Sequence, residues 1–231
     1  MLIDSSVIMN KLFALIIVCI STSAFCDAPG DNIPWKKVKT RDGIDVFKRE
    51  IPGSPVLAFK GAGIIDAPIS RVATVIFDAT RGTEWVEDLT ETRVLRWVAE
   101  NDYIEYDHVG TPFVMKDRDF VSIVKMRANP ESKSMTFSYT SIDLPDAPVT
   151  KYIRGNLLGT TFLLKSAENG TKTYLEGDIL CDPKGSVPKW IVNFFQEDWP
   201  VDTFKNLRKQ VAKPDVQTDP RFTAMLEPKK S

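Results

Sequence analysis

Histidine and cysteine are scarce in this sequence, and positive charge has no surplus. The single histidine, His108, excludes a metal site built on a histidine pair and leaves any Ser-His-Asp arrangement resting on one position. Lys and Arg number 30 against 31 Asp and Glu, so the basic excess of a non-specific nucleic-acid binder is missing and no nucleic-acid partner is expected. Of the three cysteines, Cys19 and Cys26 fall in the first 26 residues, which leaves Cys181 alone and no internal disulfide beyond them. Cys181 closes the apolar run Tyr174–Cys181 and reads as a small buried hydrophobe rather than a nucleophile. No internal repeat, low-complexity stretch or dividing linker is present, so a single domain of ordinary size is expected. No cofactor, no metal and no obligate oligomer is implied; a monomer is expected.

The opening segment has the order of a secretory signal. Lys11 is basic, Leu12–Ile20 is an apolar run of nine residues, and Ser21 to Ala24 are small. Ala24 and Cys26 place small residues at −3 and −1 of a cut before Asp27. The run is far short of the roughly 20 apolar residues that span a bilayer. The expectation is a signal peptide over 1–26 and export, which implies a bacterial periplasm. A lipid-anchored form would use Cys26, although Phe25 before it is a poor fit.

Two extended segments, Ile44–Arg49 and Val56–Ile65, come first. Asp66 and Pro68 then resemble the N-cap and first turn of a helix carrying Ile69, Val72, Ala73, Ile76 and Phe77 on one face. A short helix is expected over Thr80–Leu89. Six strands follow at Thr92–Ala99, Tyr103–Val109, Arg118–Arg127, Ser134–Ile142, Tyr152–Lys165 and Lys172–Cys181, with Asn169-Gly170 as a hairpin turn. Ser186 and Pro188 open a final helix, Lys189–Ala212. Trp190, Ile191, Phe194 and Phe195 give its first half an apolar face; Val201, Phe204, Leu207 and Val211 continue it beyond a kink at Pro200. Residues 214–231 are polar and proline-dotted and are expected to be mobile. The order is α+β: a curved antiparallel sheet wrapped around one long kinked C-terminal helix in a helix-grip arrangement, with the space between them available as core or as an internal hydrophobic cavity.

Several segments carry a family resemblance. Lys116-Asp117-Arg118-Asp119-Phe120-Val121 resembles the Arg-Asp-Phe-Val strand opening of the StAR-related lipid transfer (START) domains. Asp182 to Asn193 is similar to the start of their last helix, and Asp202 with Leu207-Arg208-Lys209 to its end. Phe59-Lys60-Gly61 and Arg81 with Trp85 match the early pattern. The resemblance runs from Trp35 to about Lys213, within a domain over 27–213. It implies one lipid held in an internal cavity without catalysis, transient membrane contact, and a gate made by the last helix and the 110–115 loop, whose Phe113 is apolar.

Alternation puts Tyr103, Glu105, Asp107 and Val109 on one face of their strand, and Phe120, Ser122, Val124 and Met126 on one face of the next. Sterol-carrying relatives place an acid thirteen residues before the motif arginine and an arginine six after it. Glu105 matches the acid; Val124 replaces the arginine. Either Arg154 substitutes, or Glu105 is wet, or the ligand supplies the partner. The expected ligand-facing residues are Trp85, Tyr103, Glu105, Phe113, Phe120, Val124, Tyr139, Phe195, Trp199, Thr203 and Leu207. Arg118 and Asp119 are expected to hold turns, His108 to be a satisfied strand residue, and Lys205, Arg208 and Lys209 to form a solvated face. The competing function is an enzyme of the polyketide cyclase type. It would need converging acid and base groups, for which only Glu105, Tyr139 and Tyr152 are at hand.

Overall fold

The computed structural model describes residues 33–111 and 115–228; the 1–26 segment and Phe113 lie outside them. Strands β1 (Lys36–Arg41), β2 (Ile44–Ile51) and β3 (Ser54–Ile65) lead into helix α1 (Ile69–Phe77) and a 3₁₀ turn (Ala79–Glu84). Strands β4 (Leu89–Ala99), β5 (Asp102–Val109), β6 (Arg118–Asn129), β7 (Ser134–Ser141), β8 (Ile153–Arg154), β9 (Asn156–Ala167) and β10 (Lys172–Asp182) follow. Helix α2 (Lys189–Ala212) and the short α3 (Pro220–Ala224) close the chain. The sheet order is β1-β2-β3-β10-β9-β7-β6-β5-β4, with β8 added to β6. The β8–β6 pair is parallel; the others are antiparallel. This is the helix-grip α+β fold.

The seat of α2 is cut by glycine. A Cβ on Gly61 of β3 would stand 2.8 Å from Pro200 Cβ and 3.1 Å from the Phe204 ring, so only a bare backbone lets the helix approach this closely. Phe204, Val201 and Leu207 are fully buried above that seat. Pro200 deprives the Gln196 carbonyl of its helical donor, yet α2 runs unbroken from Lys189 to Ala212.

The structure corrects four expectations. The N-caps are Pro68 and Pro188, neither with a side-chain hydrogen bond, rather than Asp66 and Ser186; the Asp66 carboxylate instead pairs with Lys172. The Tyr152–Lys165 strand is two strands, divided at Gly155, where a Cβ would come within 2.3 Å of the Phe120 ring. Residues 214–226, expected to be a mobile tail, are packed onto the domain at Val216 and Phe222. Phe222 is buried and meets Phe77 edge-on at 5.6 Å, and Arg71 donates to the Val211, Lys213 and Val216 carbonyls. Finally, the first half of α2 turns its aromatics outward: Trp190 is 72% exposed, Phe194 64% and Phe195 47%.

Candidate functional site

One row of residues crosses the concave sheet. Tyr103 of β5 stands opposite Val124 of β6, Val124 opposite Tyr139 of β7, Tyr139 opposite Thr160 of β9, and Thr160 opposite Ile179 of β10. Because side chains alternate, Glu105 and Asp107 follow Tyr103 on the same face. The tyrosine hydroxyls reach across to α1. Tyr103 donates to the Phe77 carbonyl and Tyr139 to the Ile76 carbonyl, which have no helical donor at the end of α1. These contacts hold α1 over one end of the face while α2 covers the rest.

Between helices and sheet lies a chamber of about 270 Å³. Tyr103, Glu105, Phe120 and Tyr139 line it from the sheet; Trp85, Trp199 and Thr203 line it from the helical side. A second chamber of about 210 Å³ sits under the first half of α2, against Val187, Ile191, Val192 and Phe195. Val109, Phe120, Ile179 and Cys181 line both, so they form the partition between them.

The remaining candidates fall elsewhere. Val124 and Leu207 are wholly buried in the core cluster and line neither chamber. An arginine at position 124 would therefore enter packed side chains rather than open space. Arg154 does not serve Glu105. Its guanidinium holds Asp119, 2.8 Å from Nε to Oδ1, and donates to the Pro148 carbonyl.

Asp119, which also accepts from Thr150, and Arg118, which donates to the Pro183 and Lys116 carbonyls, fix neighbouring turns. His108 is satisfied by Thr90 and Asp117 and stacks on Tyr152. Arg208 is not merely solvated: it donates to the Ile64 and Asp42 carbonyls and pins the second half of α2.

The residue missed by sequence reasoning is Asp107. It stands beside Glu105 on the chamber wall, with Thr92 of β4 directly across the ladder from it. The spacing of two along a strand was the available signal. Desolvation raises both groups; the neighbouring Asp107 charge drives Glu105 further up, and Asp107 itself is pushed up to about 6. Two carboxyls this close resist ionising together, so the pair holds a proton to higher pH than an isolated acid would. Burial pushes the Cys181 thiol up to about 12, so it stands in the partition as a neutral apolar group.

The START domain family matches residues 27–215 of the chain. An uncharacterised protein of Pseudomonas aeruginosa is 24% identical over 180 residues, 78% of this chain and 87% of that protein. The crystal structure of human STARD10 superimposes with a TM-score of 0.71 at 21% identity, covering 78% of this chain and 74% of that one. A STAR-related lipid transfer protein fragment from Xanthomonas axonopodis gives 0.68 at 22% identity, with 78% and 99% covered.

Proposed function

Because the chain belongs to the START-domain family, we propose that it is an exported lipid carrier that holds one hydrophobic ligand in the main chamber and catalyses nothing. The observation that carries this reading is the chamber itself: an internal space between sheet and α2, walled largely by apolar side chains. Ligand enters through the first half of α2 and the 110–115 loop. The exposed Trp190, Phe194 and Phe195 support that route, because neighbouring aromatics presented to water on one helix end are suited to a membrane surface. The protein acts as a monomer and touches the membrane transiently. The 1–26 segment directs export to the periplasm and is removed.

Native mass spectrometry of protein purified from the organism that makes it tests this reading. The expected result is a polypeptide beginning near Asp27 with one lipid of defined mass. Replacement of Trp190 and Phe194 by alanine should slow vesicle-to-vesicle lipid transfer at least fivefold. A lipid-free native protein, or unchanged transfer by that variant, would overturn the carrier and the route respectively. A chain retaining Leu12–Ile20 would overturn the cleaved signal.

A further inference from the structure

The main chamber carries formal charge of one sign. Four of its lining residues, Asp78, Glu87, Glu105 and Asp107, are acids, and among the described residues no lysine, arginine or histidine lines it. Two of the acids are spoken for. Asp78 caps the 3₁₀ turn through Thr80, and Glu87 is exposed and accepts from Asn206. Glu105 and Asp107 stand beside one another on the sheet wall, near Tyr103 and across the ladder from Thr92. Arg154 is committed to Asp119. The pair thus sits on the chamber wall without a counter-charge from the described residues.

Two further polar groups on that wall lack partners. The Trp85 indole Nε1 and the Thr160 hydroxyl belong to side chains more than nine-tenths buried, and neither makes a hydrogen bond within the described residues. Buried polar atoms are nearly always satisfied, and those left open at a cavity wall take their partner from water or from a ligand.

We infer that the main chamber receives a lipid whose head bears a protonated amine, with Glu105 and Asp107 as its seat. This rests on the carrier reading above. The reasoning is charge balance in a desolvated space. A buried carboxylate without a cation is costly, and an ammonium head supplies both the missing charge and several donors. An alcohol of the same chain supplies one donor and no charge. A carboxylic acid adds a like charge or must itself be protonated. The head-group order should therefore be amine, then alcohol, then acid. Trp85 and Thr160 satisfy whatever acceptor or hydroxyl the head carries beside the amine.

The test uses three probes with one chain: octadecylamine, octadecanol and octadecanoic acid. They compete at equal concentration for the delipidated mature protein at pH 7, read by native mass spectrometry. Octadecylamine should be retained at least tenfold over octadecanol. In the Glu105→Gln/Asp107→Asn double variant that preference should fall below threefold, with Glu105→Gln alone as a milder control for folding. Equal retention of all three by the native chain, or undiminished preference in the folded double variant, overturns the amine assignment and leaves the carrier standing. Retention of none of the three overturns both.

Discussion

Replacing Asp107 by asparagine should make the ligand-free protein more stable at neutral pH and change it little in acid. Facing this carboxyl are Thr92 from β4, Glu105 and Tyr103 from β5 and Tyr139 from β7, with no cation among them. Its folded-state value is raised from 3.8 to about 6 by desolvation. A raised carboxyl binds its proton more tightly in the folded chain than in the unfolded one. Stability therefore falls as pH rises through the interval from about 4 to about 6, and is level outside it. At 1.36 kcal/mol per pH unit, a displacement of about two units is worth about 3 kcal/mol.

Below pH 4 both states hold the proton, and native and Asp107→Asn proteins should match. Above pH 7 the folded native protein keeps a carboxylate beside Glu105 that the variant lacks, and the variant should lead by about 1–3 kcal/mol. Other carboxyls shift the opposite way. Glu84, Asp102 and Asp117 are lowered chiefly by hydrogen bonds to Arg81, Arg127 and His108, and Asp119 by Arg154 and Thr150 against its burial; all lose stabilising charge in acid. They occur in both proteins and cancel in the difference. Urea unfolding followed by circular dichroism at six values between pH 4 and pH 8 measures it. A difference that stays within about 0.5 kcal/mol across that range, the usual effect of a surface substitution, would refute the desolvated pair.

The packed C-terminal segment and the chamber partition yield two more expectations. Phe222→Ala removes a ring buried against Phe77 and should cost about 3 kcal/mol in urea unfolding, the lower end for a buried phenylalanine because a chain end can fray; unchanged stability would return the segment to the mobile class. Gly155→Ala would drive a methyl into the Phe120 ring and should cost about 1–3 kcal/mol, with Phe120→Ala in the same chain restoring much of it. A fully stable Gly155→Ala protein would mean that the ring does not rest on that backbone.

Residues whose burial follows a simple period were legible from the sequence. The alternation in β5 and β6 put Tyr103, Glu105 and Phe120 on one concave face, and the spacing of Val201, Phe204, Leu207 and Val211 identified the buried half of α2. The same rule misread the other half, because apolar spacing reports which residues share a face and not whether a neighbour covers it. Trp190 and Phe194 share a face that nothing covers among the described residues.

Asp107 was on the right face but was passed over in favour of Glu105. A pattern built on single residues does not register that two acids two apart can share a proton. Phe222 was lost in a polar, proline-rich segment, since one aromatic has no period. The break at Gly155 depends on the Phe120 ring, a contact between distant strands that local propensity cannot contain.

The unequal attachment of α2 gives it the mechanics of a lever. Toward its end, Arg208 grips the Ile64 and Asp42 carbonyls, and Arg71 ties the last turn to the chain that follows. Toward its start the polar links are Lys189 to Asp182, Asn193 to the Pro55 and Leu57 backbone, Gln196 to the Cys181 carbonyl, and Lys39 of β1 to Glu197 and Asp198. With its pivot near Asp198, the free arm is about 14 Å long, and a swing of about 15° would lift the tip by about 4 Å. The two chambers adjoin along that arm, so such a swing would uncover them in order: first the one under Ile191 and Phe195, then, past Phe120, the one lined by Glu105 and Asp107. A molecule entering by that path would be screened for shape before its head group met charge.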